Sequence, residues 1–372
     1  MKNILFMSYY RQRDGIGRAC LDYAQAFIES QYNITLSNIC GARTSAVILK
    51  DNEVPDFVTK YENNRQEKYD ILIQAIQPVL YEKIGGVKNY GLMFVENFND
   101  GNTYYGRKMN MMDGMFFTSD EDIERARTYG YTKRAIKLPV PANIDRYFQS
   151  CGKNPKIPQD SFNFYFIGDS VDRKNLIATL NAFHREFDTW ENVNLIVKYG
   201  SGIFQNNPAH SLIRDFKKVS RIYHLESLYK KEIIIDYHLT NEEIDELHNS
   251  CHCLVSSSYG ESWCRPAFDA MGFGKNVIIT SGTGANEYLK DIGFMVKSHR
   301  VPVFTIEPPI EDIYNGNEDW LDIDVIDLQS KMRYVFENYN SEELKKIRIN
   351  GVLKAKKYSY KSVGNLINGI SL

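Results

Sequence analysis

Apolar positions along the chain fall into two alternating patterns. Short runs rich in Ile, Leu, Val, Phe and Tyr read as buried strands, and longer stretches with a 3.6-residue apolar repeat read as helices. In the first part the strands are expected at Asn3–Ser8, Ile34–Ile39, Ile71–Ala75, Gly91–Val95, Gly114–Thr118 and Ala135–Leu138. A helix at Ile16–Glu29 is expected to place Ala19, Tyr23, Ala24 and Phe27 on one stripe. The periodicity then lapses in LPVPANIDRYFQSCGKNPKIPQD, which holds four prolines, as a crossing between domains does. A second series begins at Ser161: strand NFYFIG, helix Asn175–Glu186, strand NLIVKYG, helix Ala209–Val219, strand EIIIDY, helix Asn241–Asn249, strand CLVSSS, helix Pro266–Phe273 and strand NVIITS. Strand–helix alternation of this kind predicts an α/β chain with two Rossmann-like domains facing across a cleft. The expected division is 1–150, 151–355 and a final helix in 356–372 that returns to the first domain. The segment NEDWLDIDVIDLQSKMRYVFENY reads as a crossover and helices.

The length of 372 residues suits two domains of roughly 150 residues each. A formal net charge of −2 gives no support to a nucleic-acid partner and leaves membrane contact at most peripheral. No apolar run approaches the ~20 residues that span a bilayer. The start, MKNILFMSYY, turns polar too early for a signal peptide. Six scattered cysteines make no disulfide framework, so a reduced, cytoplasmic protein is expected. Cys251-His252-Cys253 has the look of a metal fragment, but alternate residues of a strand share a face, and buried thiols are the better reading. Asp120-Glu121-Asp122 reads as the acidic first turn of a helix capped by Ser119, so no metal site is expected.

Candidate chemistry concentrates in SSSYGESWCRPAFDAMGFGKNVIITSGTGANEYL, residues 256–289. The strand ends in a polar loop, and Pro266 suits the first turn of the next helix. Backbone N–H groups of Ser262, Trp263, Cys264 and Arg265, with the positive end of the helix dipole, would receive phosphate oxygens. Glu261 and Asp269 then flank a diphosphate, one towards its sugar and one towards its ribose. Taken alone, Asp269 could equally be an acid that complements the helix dipole. In YFIGDSVDRKNLIATL, Arg173 and Lys174 follow a strand that ends in Gly168. They read either as solvated charge or as cations for a departing diphosphate. Thr240 and Glu243 form a capping box, and His238, Leu239 and Thr240 follow a strand at a position suited to a base. Gly15 and Gly17 lie between the first strand and first helix. The third glycine of a dinucleotide fingerprint is replaced by Cys20, and the second strand ends without an acid, which disfavours a nicotinamide dehydrogenase. Glu96 follows a buried strand, and Gly282-Thr283-Gly284 with Glu287 follows another.

GESWCRPAFDAMGFGKNVI resembles the Glu-x7-Glu signature of retaining glycosyltransferases of family four, which have the GT-B fold. The resemblance implies that Glu261 stands near the donor sugar and Asp269 near the ribose. Asp269 stands where the family has Glu, Ser262-Trp263-Cys264 where it has Gly-aromatic-Gly, and Asp169 where it has Arg. Lys174 matches the family's Lys, with Arg173 as a substitute guanidinium. Gly15-Ile16-Gly17-Arg18 matches its N-terminal loop, His238, Leu239 and Thr240 border the base, Gly282–Gly284 closes the donor pocket, and Glu96 orients acceptor or donor sugar. The implied activity is metal-independent, retaining transfer of a sugar from a nucleoside diphosphate donor, such as a UDP- or GDP-sugar, to an acceptor hydroxyl. The acceptor would be a glycan, a lipid-linked glycan or a protein glycan, and no cofactor is needed. Two alternatives stay open, a nucleotide-sugar epimerase on the same architecture and a non-catalytic nucleotide-sugar-binding protein.

Overall fold

The computed structural model describes residues 1–39, 48–101, 103–169, 171–200, 209–220, 230–303 and 316–372. They form two compact units, one from the described residues of 1–144, 307–319 and 356–372, the other from those of 145–306 and 320–355.

In the first unit the chain order is β1 (Asn3–Ser8), α1 (Gly15–Ile28), β2 (Asn33–Asn38), α2 (Asp56–Glu62), β3 (Ile71–Ala75), β4 (Lys88–Met93), β5 (Phe98–Asn99), α3 (Tyr104–Met109), β6 (Gly114–Phe117), α4 (Asp120–Thr128) and β7 (Ala135–Lys137). Six of these strands make one parallel sheet in the order β2-β1-β3-β4-β6-β7. β3 and β6 are buried at every position, which is why they read as continuous apolar runs. The β4 strand ends three residues earlier than Glu96, so Glu96 lies in the loop beyond it rather than directly at the strand end. Helix α1 begins at Gly15, and Asp14 caps it by accepting from the Gly17 N–H at 2.6 Å. Both glycines therefore lie in its first turn. The acidic segment behaves as the sequence suggests: Ser119 caps α4 by accepting from the Asp122 N–H.

The second unit continues with β8 (Phe162–Gly168), α5 (Leu176–Glu186), β9 (Val193–Tyr199), α6 (Ala209–Val219), β10 (Ile233–Ile235), α7 (Asn241–Ser250), β11 (Cys253–Ser256), α8 (Arg265–Gly272), β12 (Asn276–Thr280), α9 (Asn286–Leu289), β13 (Phe294–Val296) and β14 (Ser298–Pro302). Its parallel sheet runs β10-β9-β8-β11-β12-β13. One face packs Phe164, Phe166, Leu195, Val197 and Tyr199 against Leu176, Leu180 and Phe183 of α5. The tail departs from the expected crossover: Glu318–Ile323 is a strand, β15, whose first residues pair antiparallel with β5, Glu318 opposite Asn99 and Asp319 opposite Phe98. Two helices follow, α10 (Val325–Asn338) and α11 (Glu342–Ala355). The last helix, α12 (Tyr360–Gly369), belongs to the first unit. There Tyr360 donates to Asp22 of α1 at 2.6 Å, and Gly364 leaves no room for a side chain beside the Ala26 carbonyl. No helix among the described residues is long and apolar enough to cross a membrane.

Candidate functional site

In an open parallel sheet, functional groups gather beyond the carboxyl ends of the strands. In the second unit the loops after β8 and β11 meet there. Glu261 is 5% exposed, and one of its oxygens, Oε1, gathers three polar neighbours. Lys174 Nζ donates to it at 2.6 Å, Ser258 Oγ at 2.8 Å, and Arg173 Nη1 stands 3.7 Å away. Burial by itself would push the pKa of this carboxyl up, but the charges of Lys174 and Arg173, with the Lys174 and Ser258 hydrogen bonds, hold it below the ordinary carboxylate range.

The loops are also fixed by backbone and hydroxyl contacts. The Tyr259 N–H donates to the Arg173 carbonyl at 2.9 Å, and Arg173 donates to the Gly260 carbonyl. Asn175, with φ of 49°, turns the chain from this loop into α5 and caps it. The Ser257 hydroxyl donates to the Asn175 carbonyl at 2.7 Å, and the Gly284 N–H donates to the Glu261 carbonyl at 2.8 Å. The stem of Lys174 passes over Gly168, where an added Cβ would lie 3.3 Å from Lys174 Cγ and 2.8 Å from the Phe166 ring. Arg173, Lys174, Glu261 and Gly168 thus come together, with the 282–284 loop against Glu261.

Cys264 enters α8 with φ of 56°, and Pro266 falls in the first turn. The carbonyls of Cys264 and Trp263 both accept from the Tyr288 hydroxyl, at 2.9 and 2.6 Å. The Trp263 ring is buried against Phe268 and Tyr288. Ser262 is buried, and Arg265, the first residue of α8, is half-buried.

Asp269 lies further along α8, 4% exposed, in a separate cluster that sequence reasoning did not foresee. Its Oδ1 accepts from the Tyr147 hydroxyl at 2.6 Å and its Oδ2 from Arg146 Nη1 at 3.2 Å. Arg265 Nε stands 3.9 Å from the same oxygen. Burial again opposes ionisation, and Arg146, Arg265, His248 and the Tyr147 hydrogen bond outweigh it, so the carboxyl stays below its ordinary range. Arg146 also pairs with Asp245. Tyr147 sits so close to α8 that an added Cβ at Gly272 would fall 2.6 Å from its ring. No local pattern in the proline-rich stretch announces Arg146 and Tyr147, because their partners lie about a hundred residues further along the chain.

His238 and Thr240 are exposed after β10, and Leu239 between them is buried. Thr240 and Glu243 form the expected capping box on α7. His252 stacks on Phe162 and accepts from the Asn163 N–H at 3.0 Å, while Cys251 and Cys253 are buried. Among the described residues no set of three His, Cys, Asp or Glu side chains is arranged to hold a metal ion.

The remaining candidates lie in the first unit. Gly15 is exposed, and no side chain would be obstructed there. Gly17 is buried, and an added Cβ would meet the Gln12 carbonyl oxygen at 2.1 Å, so the helix start and the preceding turn approach as only glycine allows. Glu96 is half-buried close to the buried Asp122–Arg125 ion pair, whose charges lie 3.2 Å apart. Burial lowers the Arg125 pKa, against the pull of Asp122, Glu121 and Glu96.

Residues 152–304 match the family model described as glycosyl transferases group 1. No curated protein sequence matches the chain significantly. Among solved structures it is similar to sucrose-phosphate synthase from Thermosynechococcus elongatus, at 11% identity and a TM-score of 0.65, over 99% of this chain and 98% of that one. Anabaena HepE in complex with UDP-glucose is similar at 13% identity and a TM-score of 0.65, over 99% of both chains. A glycosyltransferase from Rickettsia africae gives 13% identity and a TM-score of 0.65, over 98% of this chain and 96% of that one. Over residues 152–304 the chain is therefore similar to the glycosyl transferases of group 1, and as a whole it has the GT-B fold, with two parallel six-stranded sheets.

Proposed function

We propose that the protein moves a sugar from a nucleoside diphosphate sugar to an acceptor hydroxyl, with retention of configuration. The observation that carries this reading is the buried Glu261 carboxylate, held by Lys174 and Arg173 beside the first turn of α8. An ammonium has three N–H donors, and Lys174 spends one on Glu261. Its remaining charge, that of Arg173 and the backbone N–H groups at the start of α8 would receive the diphosphate and stabilise it as it leaves. The bond from the anomeric carbon to the phosphate oxygen breaks, and the diphosphate takes the electron pair. The acceptor oxygen attacks from the same face, and its proton passes to the departing phosphate. Glu261 orients the sugar and steadies the positive charge that develops on it. These cations supply the countercharge, so the reading calls for no divalent metal.

Asp269 is assigned the ribose end. Each of its oxygens accepts a protein hydrogen bond, Oδ1 at 2.6 Å and Oδ2 at 3.2 Å, and each retains a second lone pair for a hydroxyl. His238, Leu239 and Thr240 are assigned the base. The acceptor, a free, lipid-linked or protein-borne glycan, is assigned to the first unit, where Gly15, Gly17 and Glu96 lie. HepE in complex with UDP-glucose and the group 1 match support a nucleotide-sugar donor. The test is release of nucleoside diphosphate from UDP- and GDP-sugars in the presence of glycan acceptors. Lys174→Ala and Glu261→Ala are expected to slow it at least about tenfold with the fold intact, the scale of lost transition-state electrostatics. Wild-type rates in both variants would contradict the assignment.

A further inference from the structure

We infer that Lys198, a strand residue inside the second sheet, is a further phosphate-binding cation of the nucleotide site. The inference rests on the nucleotide-sugar reading and adds to it a residue that no sequence motif marks.

Lys198 is 5% exposed, a rare state for a lysine without a partner acid. Its ammonium donates to the Gly200 carbonyl, and among the described residues no carboxylate forms an ion pair with it. Among the described residues the Gly200 carbonyl takes one of its three N–H groups, which leaves two for a ligand.

Its location matches the site. Leu195, Val197 and Tyr199 of β9 belong to the core beneath α5, so Ile196 and Lys198 point to the opposite face of the sheet. That face carries Tyr165, whose hydroxyl bonds His248 at 2.7 Å, and the Asp269 charge acts on both. Register places Lys198 beside Ile167 of β8 and Ile235 of β10. The loop after β8 carries Arg173 and Lys174, and the loop after β10 carries His238 and Thr240. Lys198 thus stands at the carboxyl edge of the sheet, on the strand between the one that leads to Arg173 and Lys174 and the one that leads to the residues assigned to the base.

The charge state points to the kind of ligand. Burial pulls the Lys198 pKa down, and Asp169 and Asp236 oppose this only through space, without ion-pair contact. A desolvated cation that lacks a bonded counterion gains more from an arriving anion than from a neutral base or sugar. The group it takes is a phosphate oxygen.

The experiment is calorimetry on wild type, Lys198→Met and Lys198→Arg, with UDP, GDP and ADP and with uridine, guanosine and adenosine. Replacing a buried charge by an apolar chain of similar length leaves the free protein as stable or more stable. Lys198→Met is therefore expected to keep or raise the melting temperature and to weaken the bound diphosphate at least tenfold. Affinity for the matching nucleoside is expected to stay unchanged, and Lys198→Arg to keep most of the diphosphate affinity. If Lys198→Met does not fold, Lys198→Gln replaces it in the same comparison. Diphosphate affinity equal to wild type would overturn the inference, as would equal losses for diphosphate and nucleoside, which would mark a merely structural role. A wild-type protein that binds none of the three diphosphates would overturn the nucleotide reading itself and this inference with it.

Discussion

Replacing Lys174 by Met tests the electrostatics of the site without any substrate. The 2.6 Å pair with Glu261 joins side chains that are 15% and 6% exposed, so solvent screens it little. Breaking such a pair by removing one partner costs about 3 to 5 kcal/mol when nothing else compensates. Here Arg173 at 3.7 Å and the Ser258 hydroxyl at 2.8 Å remain, which places the expected loss nearer ~2 kcal/mol. The pH dependence gives the sign. In wild type the folded-state pKa of Glu261 lies below that of an unfolded Glu, about 4.3. Its contribution is therefore present above that pH and is lost as pH falls through the folded value. Without Lys174 the effect of burial is less opposed and the folded pKa rises. The deficit of the variant relative to wild type should then be largest near pH 7 and shrink as the solution is acidified towards about pH 4. The assay is urea denaturation of wild type, Lys174→Met, Glu261→Gln and the double variant at several pH values. A coupling energy of about 2 kcal/mol is expected from the cycle. A coupling below about 0.5 kcal/mol, or a deficit that does not change with pH, would refute the reasoning.

Two further substitutions probe the elements that carry the candidate residues. Gly17→Ala should lower stability by about 1 to 3 kcal/mol, because the added carbon meets a backbone oxygen that has no rotamer to escape into, and thermal denaturation would read it. Asp269→Asn should cost about 2 kcal/mol at neutral pH, since Arg146 keeps Asp245 as a partner. Because the Asp269 pKa is lowered in the fold, its contribution is present above about pH 3.9, so the gap to wild type should close below that pH.

Much of the fold was legible because both six-stranded sheets are parallel. Strands buried on both faces write themselves as short apolar runs, and β1, β3, β11 and β12 fall where those runs lie. Helix starts were legible wherever a local cap fixes them, as Ser119 and Thr240 do. Long-range pairing was hidden. Nothing near Phe98 or Glu318 announces that β5 and β15 meet, and the charged, Trp-containing NEDWLDI segment lacks the continuous apolar run of a buried parallel strand. The Glu261 cluster could be anticipated as loop chemistry, because acid and cations follow strands. The engagement of Asp269 by Arg146 and Tyr147 could not, since side-chain partners distant in sequence leave no spacing to read. Lys198 did leave a signal: a lysine inside the otherwise apolar run of NLIVKYG is out of place in a strand buried on both faces.

The central claim is that this protein grips a nucleoside diphosphate through Arg173, Lys174 and the start of α8. Isothermal titration of UDP, GDP and ADP and their sugars into wild type and Lys174→Ala tests it most directly. The account predicts saturable heat with at least one diphosphate and its sugar, weakened about tenfold or more in the variant, where a charge-assisted contact has been lost. Absence of heat with every nucleotide, or equal affinities in the two proteins, would contradict it.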